Sequence, residues 1–185
     1  MDKIFTSFFI LLLYSSLGFG QDSAKYISRQ GHVSFFSYTS VENIEAENNQ
    51  VLSIFDTSNG EVAINMLMRA FIFKKALMQE HFNESYIESD IYPKATFEGN
   101  ILDFNPEIHE EATKIIKGAL TVHGITKELE IKTKIERRDD STPIFSGTFE
   151  VLVSDFKIKI PPVVAGNIAK TIEVEFRFEY QPYEN

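Results

Sequence analysis

Apolar and polar residues alternate along most of this chain, and the alternation predicts strands. In residues 171–180, Ile172, Val174, Phe176, Phe178 and Tyr180 alternate with Glu173, Glu175, Arg177 and Glu179. A period of two puts one face against a core and the other in water. Residues 127–136 repeat the pattern, with Leu129, Ile131, Thr133 and Ile135 opposite Glu128, Glu130, Lys132, Lys134 and Glu136. Phe145, Gly147, Phe149, Val151 and Val153 make a third such face. Ile116, Gly118, Leu120 and Val122 make a fourth, and Val62, Ile64, Met66 and Met68 a fifth. Val33, Phe35 and Ser37 give a weaker one, and residues 51–55 are mostly apolar on both sides. Residues 96–104 complete a set of about eight strands.

The turns between these runs suit hairpins. Ser58-Asn59-Gly60 divides the second strand from the third, and Asn-Gly accepts the positive φ of a tight turn. His123-Gly124-Ile125-Thr126 divides the pair 114–122 and 127–136, and residues 138–143 form a polar loop. Antiparallel strands in series, each with one dry face, favour a closed up-and-down barrel, because closure removes exposed edges. A two-sheet sandwich is the alternative. One segment breaks the period: in residues 73–83, Phe73, Leu77 and His81 are spaced i, i+4, with Met78 and Phe82 beside them. That spacing predicts an amphipathic helix of roughly two to three turns. Asn105-Pro106 would start a second short helix, with proline at its first position. Residues 42–50 are polar and read as a loop or short helix.

The first residues follow another rule. Residues 4–14, IFTSFFILLLY, are nearly all apolar; Lys3 precedes them, and Gly18 and Gly20 follow as small residues two apart. The run is shorter than the ~20 residues of a membrane span. It predicts a cleaved signal peptide over residues 1–20, with an uncleaved anchor as the alternative, and a periplasmic or secreted single domain over 21–185. Removing 20 of the 185 residues leaves 165. The chain contains no Cys, which excludes disulfides, thiolate zinc sites and thiol catalysis. An exported domain must then hold itself together by packing, which is feasible because ~150 residues bury about 68–70% of their unfolded surface. A net charge of −9 argues against nucleic acid as a partner. Phe is the abundant aromatic, 17 against no Trp.

Candidate chemistry is sparse. Glu80-His81-x-x-Glu84 would bring metal ligands near one another only if further ligands converged; a histidine ending a helix is the plainer reading. His123 beside Gly124 reads as a turn residue before it reads as a base. No Gly-x-Ser-x-Gly elbow surrounds Ser34, Ser37, Ser146 or Ser154, and no glycine-rich phosphate loop follows a strand. Glu80, Glu84, Glu88 and Asp90 read as a solvated cluster. Neither catalytic nor metal-binding residues are assigned, and a non-enzyme is expected. An eight-stranded barrel is either filled by its side chains or holds one small ligand. The inward faces, with Phe82 from the helix, propose an apolar pocket of Phe35, Ile64, Met66, Met68, Phe82, Phe97, Leu120, Val122, Ile131, Phe149, Val151, Val174 and Phe176. Residues 156–169, FKIKIPPVVAGNIA, stay apolar although Pro161-Pro162 stops a central strand; they read as a portal rim, a partner patch or a plug.

Three stretches carry a family likeness. Residues 81–97 contain a Tyr-Pro at Tyr92-Pro93 followed by Phe97. Residues 118–127 read GALTVHGITK, and residues 145–160 contain Ser154-Asp155-Phe156. With the opening His32-Val33-Ser34-Phe35, the chain after the leader resembles the YceI-like family of exported polyisoprenoid-binding proteins nearly throughout. The Thr-x-His-Gly-x-Thr-Lys string carries most of the specificity. The resemblance implies an all-β, antiparallel, eight-stranded lipocalin-like barrel, here with one or two short helices. It also implies a long apolar pocket for an isoprenoid or quinone-type lipid. The expectation is an exported carrier whose partners are that lipid and, transiently, a membrane, with no cofactor beyond the bound lipid. An enzyme acting in the same cavity and a cavity-free interaction protein are the alternatives.

Overall fold

The computed structural model describes residues 25–38, 43–106, 111–138, 142–161 and 169–183. Ten strands and one α-helix follow one another: β1 (Lys25–Ser37), β2 (Ile44–Asp56), β3 (Glu61–Leu67), β4 (Ile72–Phe73), α1 (Ala76–His81), β5 (Lys94–Ile101), β6 (Ala112–Val122), β7 (Ile125–Arg137), β8 (Pro143–Leu152), β9 (Thr171–Glu179) and β10 (Gln181–Pro182). Every pairing is antiparallel, and sequence neighbours lie side by side. β1 pairs with β2 along one edge and β9 along the other, so eight strands close into a ring and the sandwich is ruled out. The two-residue strands are extensions: β4 continues β3 along β2, and β10 continues β9 along β1.

The alternation does what the sequence pattern requires. In β9, Phe176 and Phe178 are buried while Glu173, Glu175 and Arg177 are exposed. In β7, Ile131 and Thr133 are buried between exposed Glu130, Lys132 and Lys134. A barrel facing lipid would carry an apolar band outside; this wall carries Glu and Lys.

One end of the barrel is closed by rings. Phe55, Phe104, Phe145 and Tyr180 meet there, with centroids 4.9 Å apart for Phe55–Phe145 and 5.0 Å for Phe145–Tyr180. The Tyr180 hydroxyl lies 2.7 Å from Ser53 Oγ, which satisfies both buried groups. Burial pushes the Tyr180 phenol up, against the smaller opposing effect of that bond. Outside this end, the turn after β2 is tied by Gly60, at φ +77°, donating its N–H to the Asp56 carbonyl. Ser58 donates to the Asp56 carboxylate through hydroxyl and backbone, holding its pKa below the usual range.

Gly118 faces Gly99 across β5 and β6. A Cβ at Gly118 would stand 2.3 Å from the Glu98 carbonyl oxygen and 2.5 Å from Gly99 Cα, and 2.8 Å from the Phe97 ring. Backbone cannot yield as a side chain can. Gly118→Ala is therefore expected to cost about 2–3 kcal/mol. Thermal melting by circular dichroism would show it as a drop of roughly 5–10 °C; an unchanged melt would contradict the packing.

The structure differs from the sequence expectation in three places. Residues 44–50 are strand, not loop or helix. Alternation persists there, but Asn48 occupies an inward position, fully buried, where it donates to the Leu67 carbonyl and accepts from the Gln50 N–H. The helix begins at Ala76 rather than Phe73; Phe73 is buried in β4, and α1 widens into a π turn over Phe82–Tyr86. β5 stops at Ile101, and Phe104 folds under the closed end instead. The expected second helix, from Asn105-Pro106 onward, falls on residues 107–110, which with His109 lie outside the described residues, as do residues 1–20 of the expected leader.

Candidate binding cavity

The opposite end of the barrel is the mouth. Four connections meet there: β1 to β2, the span from β3 through α1 to β5, the β6–β7 hairpin and the β8–β9 connection. Below it lies a cavity of about 350 Å³. Strand ends supply its wall through Phe35, Met66, Leu120, Val122, Phe149, Val151 and Val174, and Met68 follows from the turn after β3. A smaller void of about 50 Å³ lies deeper and is lined by Ile64, Phe97, Ile131 and Phe176 among others. Val33, Met66, Leu120, Phe149 and Val174 border both spaces and form a waist between them.

All thirteen pocket residues proposed from the sequence face one or other of these spaces, with Phe82 at the mouth. Four phenylalanines meet at Phe82: its ring is stacked on Phe35 at 5.6 Å and touches Phe73 at 5.0 Å and Phe71 at 5.9 Å. Phe71 and Phe73 escaped the sequence reading. They occupy the bend between β3 and α1, where neither a period of two nor one of 3.6 runs long enough to assign a face. Ile44, Tyr86 and Ile87 were missed for the same reason, each standing at an element's end, and Met78, assigned to the helix, was not counted in the lining. The β8–β9 connection does line the cavity: Phe156 is buried, and Ile158 and Ile160 face inward. The described part of this stretch thus forms wall. Residues 162–168 lie outside the described residues.

The lining is almost wholly apolar. Among the described residues, Ser37, His81 and Tyr86 are its polar side chains, all at the mouth, and no Lys, Arg, Asp or Glu takes part. Deeper down, Thr133 is the polar residue, fully buried, with its hydroxyl 3.4 Å from the Ile131 carbonyl. Among the described residues no buried side-chain nitrogen or oxygen lacks a partner. The upper space is thus apolar in depth, with its hydrogen-bonding side chains at the mouth.

His123 belongs to the frame rather than the wall. It occupies the β6–β7 turn with φ +50°, followed by Gly124 at +71°. Its Nδ1 lies 3.1 Å from the Phe156 carbonyl oxygen and its Nε2 2.9 Å from a Glu88 carboxylate oxygen. The Tyr92 ring packs edge-on at 4.4 Å. Both partner atoms are acceptors, and the ring lies between the two connections flanking it at the mouth. His81 stands exposed at the end of α1, beside the cavity. Among the described residues, no three of His, Asp and Glu converge as a metal would require. Glu88 is bonded to His123 and Asp90 to Arg69, while Glu80 and Glu84 are exposed.

A closed up-and-down ring with one apolar cavity at its open end is a lipocalin-like β-barrel. The chain belongs to the YceI-like domain family, whose match covers residues 15–180. No curated protein sequence matches it. Among solved structures it is similar to a polyisoprenoid binding domain from Saccharophagus degradans implicated in plant cell wall breakdown. The TM-score is 0.73 at 12% identity, over 86% of this chain and 99% of that one. It is also similar to BcnA of Burkholderia cenocepacia, with TM-score 0.68, 16% identity and coverage of 82% and 96%. The YceI protein of Campylobacter jejuni aligns with TM-score 0.57 and 14% identity over 80% and 90%. At these identities the structural likeness speaks to the fold.

Proposed function

We propose that this protein is an exported, non-enzymatic carrier that holds the long apolar chain of an isoprenoid or quinone-type lipid, tail inward and head at the mouth. Residues 1–20 serve as the leader, and the carrier works in the periplasm or outside the cell. The cavity supports this reading most directly. About 350 Å³ of space beneath the mouth is left unfilled by side chains although its lining is almost wholly apolar, the character of a site for an apolar ligand. A cavity so large is therefore read as space kept for a ligand. The polyisoprenoid-binding description of a structural relative agrees with a chain of that kind.

Native mass spectrometry of gently purified protein is the test. A co-purifying lipid is expected, removable and restored on incubation with an isoprenoid. Protein that carries no lipid, and takes none up after delipidation, would overturn the proposal. The double variant His81→Ala, His123→Ala, confirmed folded by circular dichroism, separates a carrier from an enzyme. A carrier keeps its lipid unaltered with and without the two imidazoles. A lipid that is chemically altered by the parent protein and unaltered by the variant would favour the enzyme.

A further inference from the structure

The large apolar side chains that stand exposed are not spread evenly. Among the described residues eight are exposed, and Tyr38, Leu67, Ile72, Leu77, Ile91 and Leu152 all lie at the mouth end; Leu52 is on the wall and Leu102 at the closed end. The charge is uneven too. The chain carries −9 overall, yet residues 156–170 contain three Lys and no Asp or Glu.

These two features meet on one side of the mouth. The Val153 N–H donates to the Lys170 carbonyl, which sets Leu152 beside Lys170. The Ala169 N–H donates to Ser37 Oγ at 3.1 Å, which sets the same segment beside the end of β1. There Tyr38 is 76% exposed, and its ring lies 5.7 Å from that of Phe36. Lys157 and Lys159 alternate with Ile158 and Ile160: the isoleucines line the cavity and the lysines are exposed. Lys157 holds φ +53°, a conformation Gly or Asn would adopt at less strain. Of the nearby acids, Asp155 is engaged by Lys127 and Glu45 by Lys74, while Glu173, opposite Phe36 and Glu150, is exposed on the wall just below the edge. The edge itself is thus aromatic and aliphatic at Tyr38 and Leu152, carries Lys157, Lys159 and Lys170, and is continuous with the cavity wall.

We propose that this edge, centred on Tyr38, Leu152, Lys157, Lys159 and Lys170, docks the mouth of the barrel on an anionic lipid bilayer. Exposed rings and aliphatic groups enter the headgroup region while the lysines meet lipid phosphates. The cationic edge also turns the acidic barrel, wall and closed end, away from the surface. Docking brings the mouth to the phase in which a long apolar lipid is dissolved, so transfer avoids water. The docking itself does not depend on what the cavity holds.

Vesicle flotation tests it with the delipidated protein, using phosphatidylcholine vesicles with and without phosphatidylglycerol. Binding is expected to the anionic vesicles at low salt, and to weaken as salt screens the lysines. Lys157→Glu, Lys159→Glu, Lys170→Glu together are expected to weaken it roughly a hundredfold. Tyr38→Asp should weaken it independently. The matched reversal of Lys114, Lys117 and Lys132, on the wall, should not. Circular dichroism confirms that each variant folds. No binding to anionic vesicles, or equal loss from the wall reversals, would overturn the proposal. The triple reversal should still take up isoprenoid from detergent solution; loss of uptake by parent and variants alike would strike the carrier reading and leave docking standing.

Discussion

Val122→Trp is expected to weaken lipid uptake roughly 50- to 100-fold without unfolding the barrel. Val122 ends β6 at the mouth, half-buried, with its side chain on the cavity. An indole there enters space already present rather than displacing packed neighbours, so the cost to stability stays below about 1.5 kcal/mol. It denies the ligand on the order of 100 Å² of contact, worth about 2.5 kcal/mol at ~25 cal/mol per Å². That weakens binding roughly 50- to 100-fold. Titrating delipidated protein with an isoprenoid, followed by native mass spectrometry, measures it. Uptake equal to that of the parent protein, with an unchanged melt, would mean that the chain does not lie in this cavity.

Phe145→Ala is the complementary experiment, with the largest expected effect on stability. Phe145 is 1% exposed and sits between Phe55 and Tyr180 at the closed end, facing the small void from below. Removing its ring empties a space that closed strands on every side cannot collapse into. The expected loss is about 3–5 kcal/mol. Urea denaturation should show a much lower midpoint with an unchanged slope. Any lipid that still binds should rescue part of that stability by mass action. A loss below about 1 kcal/mol would contradict the described packing.

The strands were legible because closure leaves each with one wet and one dry face, and that alternation is written directly into Ile172 to Tyr180 and Leu129 to Ile135. The pocket followed, since the residues lining an up-and-down barrel are its inward residues. What escaped was local. Asn48 hides the start of β2 because a polar side chain fills an inward position, satisfied by the Leu67 carbonyl, a partner 19 residues away. Phe73 carried the spacing of a helix, yet it is strand, because pairing with Ala46 outweighs a weak helical preference. Phe71, Phe73 and Phe82 meet only through the bend after β3, and no periodicity describes a bend. The His123 tie reaches 35 residues back to Glu88 and 33 forward to Phe156, a pairing no local spacing reveals.

The seam of the ring has a consequence in time. β1 is bonded to β2 close by in sequence, but its other edge waits for β9, so that His32 lies opposite Arg177. No partial chain, however well its hairpins form, encloses a volume. Bringing such distant ends together carries the entropy of a loop of most of the chain, and folds dominated by such pairings form in milliseconds to seconds. Until then the chain is an open ribbon of hairpins whose greasy side has no shelter. The container and its contents space come into being in one late step, with the arrival of the last long strand.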